Sequence, residues 1–111
     1  MKPDVMADRR VATRYPLILI AEVTEIISGA KSMARTADVS RTGCYLDTLK
    51  PALKGTQIRL RLMLAEEVFQ AQALVMYSSP GLGMGVHFNG QIPESQLNIL
   101  ERWLIEAARN L

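Results

Sequence analysis

The sequence has few of the side chains on which catalytic and metal sites depend. Its 111 residues include one Cys, one His and one Trp, and aromatic residues make up only 5%. A single cysteine excludes an internal disulfide and a Cys-x-x-Cys metal pair. Nucleophilic and acid–base catalysis usually need a His, a Cys or paired carboxylates in one pocket, and Cys44 and His87 have no such neighbours in sequence. We therefore expect no enzyme activity, no catalytic residue, no metal ion and no cofactor.

Long apolar segments are also missing. The longest apolar run, Pro16 to Ala21, is far too short to span a bilayer as a helix. At the start of the chain, Lys2 is followed by Pro3 and Asp4 rather than by the apolar core of a signal peptide. The sequence therefore predicts a cytoplasmic protein that does not insert into a membrane.

The chain carries little net charge. Thirteen Lys and Arg residues against eleven Asp and Glu residues give a formal net charge of +2, which is too small for a general nucleic-acid binder. We therefore expect no nucleic-acid polymer as a partner. Three arginines, Arg9, Arg10 and Arg14, nevertheless lie within six positions of one another. Such a cluster on a nearly neutral protein indicates a local anion site.

What the sequence does contain is the composition of one globular domain. Apolar residues make up 49% and charged residues 22%, and 111 residues are enough for one core. Residues 1–8 show no hydrophobic period, so we expect a flexible lead-in there and one domain over 9–111. Six segments have the composition of β-strands, at 17–26, 33–39, 44–48, 57–64, 68–77 and 85–88. Their short spacing without crossover helices predicts an all-β domain, an antiparallel barrel or sandwich over about 15–90.

The last segment has the pattern of a helix. Pro93, Glu94 and Ser95 are typical of a helix start, because Pro suits the first turn and an acidic side chain favours the positive end of the helix dipole. Apolar residues then recur at intervals of three and four, at Leu97, Leu100, Leu104, Ala107, Ala108 and Leu111. We predict one amphipathic C-terminal helix over about 94–110 that packs on the β-domain.

Two glycine-containing segments are candidates for ligand binding. Residues 81–85 (Gly-Leu-Gly-Met-Gly) lack the Lys and Ser or Thr of a phosphate loop, and a strand rather than a helix follows them. Residues 38–43 (Asp-Val-Ser-Arg-Thr-Gly) form a turn between strands, and the turn alone explains their composition. The same turn also places an Asp carboxylate, a Ser hydroxyl and an Arg on one tight loop. Together with Arg10 and Arg14, it suits a ligand that has phosphates and guanine rings.

These segments resemble the two motifs of the PilZ domain family, which contains receptors for the bacterial second messenger cyclic di-GMP. The family motif R-x-x-x-R is matched by residues 10–14 (Arg-Val-Ala-Thr-Arg), and [D/N]-x-S-x-x-G is matched by residues 38–43. Twenty-three residues separate the motifs, which is enough for a strand, a turn and another strand. Residues 83–88 also resemble the family's G-x-G-V-x-F strand. The resemblance implies a six-stranded antiparallel barrel with a C-terminal helix.

The resemblance also implies a role for each motif residue. Arg10 and Arg14 are expected to clamp the phosphates and stack on the guanines, and Arg9 to add a phosphate contact. Arg41 is expected to add a further contact to the ligand. Asp38 and Ser40 are expected to bond a guanine edge, and Gly43 to let the backbone approach the ligand.

The function that follows is a non-catalytic, stand-alone receptor. It binds cyclic di-GMP, orders its N-terminal arm over the loop at 38–43, and presents a changed surface to a downstream partner protein. Family analogy suggests motility or biofilm formation as the process controlled. The sequence leaves open whether one ligand or a stacked pair binds, and whether the chain is a monomer or a weak dimer. The alternative is a protein-interaction module of the same fold that acts without nucleotide.

Overall fold

A computed structural model describes residues 12–111. The expected lead-in at 1–8, together with Arg9 and Arg10, lies outside the described residues. The described part contains seven strands and one helix: β1 (Tyr15–Pro16), β2 (Ile20–Glu25), β3 (Lys31–Val39), β4 (Gly43–Asp47), β5 (Gln57–Leu64), β6 (Glu67–Ser79), β7 (Gly83–Asn89) and α1 (Glu94–Arg109).

Six of the strands form a closed antiparallel ring. The strands are hydrogen-bonded in the order β3-β2-β5-β6-β7-β4, and a further pairing of β3 with β4 closes the barrel. The short strand β1 pairs with β3 beyond the end of β2. The predicted fold class, an all-β six-stranded antiparallel barrel with a C-terminal helix, is therefore confirmed, and β1 is an addition to it.

The alternation of side chains along each strand decides which residues fill the barrel. In β5, Ile58, Leu60 and Leu62 are fully buried, while Arg59 between them is exposed. Burying one aliphatic side chain of this size contributes about 1.5–3 kcal/mol. Phe69 of β6 and Phe88 of β7 pack with their ring centroids 5.2 Å apart. The core therefore runs through the whole barrel interior.

The chain does not run through 17–26 as one strand, as its composition predicts. It breaks between β1 and β2, and the side chain of Thr36 on β3 fills the break. The Thr36 hydroxyl donates a hydrogen bond to the carbonyl oxygen of Leu17 (2.6 Å) and accepts one from the amide of Leu19 (2.7 Å). Because Thr36 is fully buried, these two bonds replace water for backbone groups that would otherwise be unsatisfied.

The helix is fixed to the barrel by a buried face and by one polar anchor. Its buried residues are Leu100, Trp103, Leu104 and Ala107. The carboxylate of Glu67, at the start of β6, accepts hydrogen bonds from the Arg102 guanidinium and from Trp103 Nε1 (3.1 Å). These three hydrogen bonds, the two from Arg102 most strongly, lower the pKa of Glu67 below its ordinary value.

The antiparallel ring has two distinct ends. The loops β2–β3, β4–β5 and β6–β7 lie at one end, which we call the loop end. The β3–β4 loop, the β5–β6 hairpin and the connection from β7 to α1 lie at the other. The sequence motif at 38–43 therefore lies at the end opposite the loop end.

Thr36→Val is expected to destabilise the barrel. Valine has nearly the shape of threonine but can neither donate to Leu17 nor accept from Leu19, so two buried backbone groups lose their partners. We expect the free energy of unfolding to fall by about 2 kcal/mol or more in urea denaturation. Thr36→Ser keeps the hydroxyl and is the control. A Thr36→Val protein no less stable than Thr36→Ser would contradict this account.

The Glu67 anchor is expected to contribute stability that depends on pH. Because the pKa of Glu67 is lowered in the folded state, the stability that Glu67 contributes is fully present at pH values above the ordinary glutamate pKa. That stability is lost as the pH falls through the folded-state pKa. Glu67→Gln should therefore lower the melting temperature at neutral pH, and the gap from wild type should narrow in acid. Thermal unfolding followed by fluorescence of Trp103, the sole tryptophan, measures this gap. Glu106→Gln on the exposed side of α1 is the control, and a gap that stays constant down to about pH 3 would refute the assignment.

Candidate functional site

The structure brings the two sequence motifs into direct contact. Arg14, which precedes β1, donates a hydrogen bond from Nε to Oδ1 of Asp38 at 2.9 Å, across 24 residues of chain. The side chains are 44% and 34% exposed, so the pair lies at the surface and is accessible to a ligand. The pairing of β1 with the end of β3, in which Pro16 lies opposite Asp38, holds Arg14 in place.

Asp38 faces outward because β3 contains a bulge. Thr36 points into the barrel, and strict alternation would direct Asp38, two residues later, to the same face. The register of β3 against β4 shifts between Thr36 and Asp38, so that Thr36 lies opposite buried Leu46 and Asp38 opposite Tyr45. One extra residue, Ala37, therefore turns the carboxylate from the core to the outer wall.

Ser40 organises the loop that follows Asp38. Its Oγ accepts hydrogen bonds from the amides of Thr42 (3.1 Å) and Gly43 (3.2 Å), while its own amide donates to the Gly43 carbonyl oxygen (2.8 Å). The residue is 1% exposed. Ser40 thus holds the tight turn between β3 and β4, and its expected bond to a guanine edge stays a prediction.

Close packing of β4 against β7 requires glycine at position 43. It lies in β4 opposite His87 of β7, and a Cβ at this position would collide with the carbonyl oxygen of Val86. Only glycine therefore allows β4 and β7 to approach at this point. A role of Gly43 toward a ligand is a separate prediction, which this packing leaves untouched.

Arg41 takes no part in the Arg14–Asp38 contact and pairs with the helix instead. Its Nε lies 3.0 Å from Oε2 of Glu101 on α1, and this ion pair links the β3–β4 loop to the helix. A cavity of about 670 Å³ lies beside it, lined also by Ala12, Tyr15, Leu104, Ile105 and Ala108. Neither Arg14 nor Asp38 lines this cavity, so the site that the motifs form is open surface beside a groove along the helix.

A pair of tyrosines adjoins Asp38 on the outer wall. Tyr45 lies opposite Asp38 on one side and opposite Gly85 on the other, and Gly85 in turn lies opposite Tyr77. The two tyrosine rings are stacked, with centroids 6.2 Å apart and an interplanar angle of 29°. A Cβ at Gly85 would collide with the Tyr77 ring, so the glycines of β7 make room for the aromatic pair.

The sequence analysis did not single out these tyrosines. The signal was the spacing of Gly83 and Gly85, because two glycines on one face of a strand leave a gap that side chains from the neighbouring strands can cover. Tyr77 reaches the outer face through a second bulge, a register shift between Val75 and Tyr77. That shift has no local signature in the sequence.

Cys44 does not have the properties of a nucleophile. It is fully buried in β4, and burial, with a smaller contribution from nearby Asp38, raises the pKa of its thiol to about 12. The thiol is therefore protonated at neutral pH. Among residues 12–111 no three His, Cys, Asp or Glu side chains are arranged to hold a metal ion. In the same part of the chain, no helix has the length and hydropathy to cross a membrane.

These features define a small closed β-barrel domain with a polar site on its outer wall. Comparison with protein families matches residues 8–106 to the PilZ domain. Because this match covers most of the chain, the protein belongs to the PilZ domain family. Comparison with curated proteins gives no significant match.

Solved structures have the same fold. The PilZ domain of CeSA from a cellulose-synthesizing bacterium has a TM-score of 0.67 at 20% identity, covering 86% of this chain and 97% of that one. The PilZ domain of YcgR from Escherichia coli, determined with c-di-GMP, has a TM-score of 0.73 at 18% identity, covering 92% and 93%. The inhibitor of motility MotI from Bacillus subtilis has a TM-score of 0.73 at 18% identity, covering 92% of this chain and 52% of that one. This chain therefore spans about half of MotI and nearly all of the other two.

The two glycines beside the site are expected to differ in their tolerance of a side chain. Gly43→Ala forces apart the backbones of β4 and β7, so we expect it to lower the free energy of unfolding by about 1–3 kcal/mol. The three atoms nearest a Cβ at Gly85 all belong to the Tyr77 side chain, which can turn away, so Gly85→Ala should cost less.

Chemical denaturation of the four proteins in a Tyr77→Ala, Gly85→Ala double-mutant cycle measures the second effect, and Gly43→Ala in the wild-type and Tyr77→Ala backgrounds adds two control proteins. Removing the Tyr77 ring should reduce the cost of Gly85→Ala, while the cost of Gly43→Ala should not change. Equal costs of Gly85→Ala in both backgrounds would rule out the steric explanation.

Proposed function

We propose that this PilZ domain is a receptor for cyclic di-GMP that binds the ligand on its outer wall, at the Arg14–Asp38 pair. The observation that carries the proposal is the 2.9 Å contact between these two residues, because each belongs to a different family motif. The YcgR domain, which shares the fold, was determined with this ligand, and that supports the choice of messenger.

The chemistry of the pair suits a guanine nucleotide. A carboxylate can accept two hydrogen bonds at once from the N1–H and the amino group of guanine, whereas adenine does not present this pair of donors. Asp38 therefore selects the base, and Arg14, held by Asp38 through Nε, directs the remaining edge of its guanidinium toward a phosphate. The ion pair also fixes the rotamers of both side chains before the ligand arrives, which reduces the entropy lost on binding.

The other motif residues complete the proposal. Arg10 and Arg9 lie outside the described residues. We assign Arg10 to the phosphates and the guanine faces on the strength of the R-x-x-x-R motif, and Arg9, which directly precedes it, to a further phosphate contact. Arg41 is held by Glu101, so its contact with the ligand requires that this surface ion pair open. Such a pair is worth at most about 1 kcal/mol. Tyr45, directly opposite Asp38, provides a flat wall beside the bound base.

The receptor acts by changing its surface. The ligand site adjoins α1 through the Arg41–Glu101 pair, and the groove along α1 is where a downstream protein would detect the change. The chain binds the messenger without chemical turnover, in the cytoplasm. Control of motility or biofilm formation is the process we propose, and the structure of the motility inhibitor MotI supports the first of these.

Calorimetric titration with cyclic di-GMP and cyclic di-AMP tests the proposal. Arg14→Ala should weaken binding of cyclic di-GMP by about tenfold or more, since a charge-assisted hydrogen bond contributes about 1.5–3 kcal/mol. Asp38→Ala should reduce the preference for guanine over adenine. Raised salt should weaken binding by wild type, because phosphates contribute to it.

The chain provides a matched control at the far end of the same two strands. Arg35 and Asp47 also form an ion pair between β3 and β4, with 3.8 Å between Nε and Oδ2. Arg35→Ala and Asp47→Ala should leave the affinity unchanged. Equal affinities of wild type for the two dinucleotides would defeat the role of Asp38.

The alternative, a protein-interaction module that acts without nucleotide, is favoured by the groove of about 670 Å³ along α1. Thermal unfolding separates the two functions. A ligand that binds only the folded protein raises its melting temperature, so saturating cyclic di-GMP should do so for a receptor. An unchanged melting temperature would support the alternative.

A further inference from the structure

Exposed aliphatic side chains concentrate at the loop end of the barrel. Ile27 is 97% exposed, Leu49 and Leu53 are each 79% exposed, and Leu82 is 69% exposed. These residues lie on the three loops β2–β3, β4–β5 and β6–β7. Isolated apolar residues on a surface need no explanation, but several of them on adjoining loops mark an interaction site.

The three loops are joined into one surface. The amide of Thr48 donates to the carbonyl oxygen of Leu82 (3.2 Å), and the amide of Gly81 donates to that of Leu49 (3.1 Å). The amide of Ile26 donates to the carbonyl oxygen of Gln57, at the end of the β4–β5 loop (3.0 Å). We call residues 26–31, 48–56 and 80–82 the loop-end surface.

The exposed side chains are not needed to close the barrel. Ala52, in the middle of the β4–β5 loop, already packs against the core at this end, while Leu49 and Leu53 on either side of it point to solvent. Each loop also contains a glycine with positive φ, at Gly29 (76°), Gly55 (91°) and Gly81 (80°). An added Cβ at any of the three would meet nothing within 4 Å. The loops therefore make tight turns that project into open space.

Positive charge predominates on this surface. Residues 26–31, 48–56 and 80–82 contain three exposed lysines, Lys31, Lys50 and Lys54. The two carboxylates that directly precede the first two segments are partnered, because Glu25 accepts a hydrogen bond from Ser28 Oγ (3.3 Å) and Asp47 lies 3.8 Å from Arg35. The surface therefore combines projecting aliphatic tips with an excess of positive charge.

We propose that the loop-end surface docks the domain on an anionic phospholipid bilayer. Aliphatic tips that enter the headgroup layer, with lysines beside them at the level of the lipid phosphates, are the combination that interfacial binding requires. The charge argues against a second copy of this chain as the occupant, because two such surfaces face to face would bring six lysines together. The cavity between two of these loops has a volume of only about 280 Å³ and is lined by the Glu25 carboxylate, which disfavours an acidic peptide.

This contact differs from insertion of a membrane-spanning segment. Only the loop tips enter the headgroup layer, and the barrel stays outside the bilayer. The Arg14–Asp38 pair lies toward the opposite end of the barrel, so the domain can bind lipid and dinucleotide at the same time. The proposal does not depend on the proposed ligand.

Sedimentation with lipid vesicles tests the proposal on the full chain. Wild type should pellet with vesicles of phosphatidylcholine that contain about 30% phosphatidylglycerol, and not with phosphatidylcholine alone. Two variants, Lys50→Glu/Lys54→Glu and Ile27→Ser/Leu49→Ser/Leu53→Ser, should each reduce the partition coefficient by about tenfold or more.

Matched variants elsewhere on the protein separate this surface from general charge and hydrophobicity. Arg61→Glu/Arg109→Glu changes the same number of cations away from the loop-end surface, and Ile18→Ser/Ile20→Ser/Ile105→Ser removes three exposed aliphatic side chains from other surfaces. Both controls should bind vesicles as wild type does. Equal loss in the controls, or no binding of wild type to anionic vesicles, would overturn the proposal. If wild type does not bind anionic vesicles, a protein partner becomes the expected occupant of this surface.

A label on one loop measures the contact directly. Because the single native cysteine, Cys44, is fully buried, a surface cysteine can be labelled selectively with an environment-sensitive fluorophore. The label at Ile27→Cys should shift its emission to the blue on anionic vesicles, and the label at Ile20→Cys on the barrel wall should not. A shift at both positions, or at neither, would contradict docking by the loop end. Cyclic di-GMP titration of the same labelled proteins shows independently whether the ligand site is intact.

Discussion

The candidate site depends on a single extra residue in β3. A strand directs alternate side chains to opposite faces, so Asp38 would share the barrel interior with Thr36 if β3 were regular. A carboxylate without a partner there would be too costly to bury. The bulge at Ala37 shifts the register against β4, places Val39 in the core and directs Asp38 to the outer wall, where Arg14 meets it. In this chain, the Asp of the D-x-S-x-x-G motif reaches the outer wall because the strand is irregular at this position.

The same bulged strand joins the site to the rest of the fold. Thr36, just before the bulge, supplies the hydroxyl that hydrogen-bonds the free backbone groups of Leu17 and Leu19 at the break between β1 and β2. That break allows β1 to lie against the end of β3, and β1 in turn positions Arg14. The two motifs, 24 residues apart at Arg14 and Asp38, are therefore brought together by backbone geometry, and the ion pair between them is a consequence of it.

The alternation of apolar residues in β5 and the helical period of apolar residues in α1 can be read from local sequence. Buried side chains recur on one face of each element, at every second residue in a strand and at every third or fourth residue in a helix. These patterns, together with the two motifs, predicted the barrel and the helix. The two bulges, the break after β1 and the link from Arg41 to Glu101 were not predictable in this way. Each of them depends on the register between segments that are distant in the chain, and no local propensity encodes that register.

The closure of the barrel limits how the domain can meet other proteins. Each of the six ring strands has a hydrogen-bonded neighbour on both sides over part of its length. Within residues 12–111, the stretches of ring strand that pair on one side only are short, such as residues 67–71 of β6, which pair with β5 but not with β7. Such short edges offer a partner little room to extend the sheet, as happens in domains that capture peptides by strand addition. Recognition therefore falls to side chains, loops and the helix.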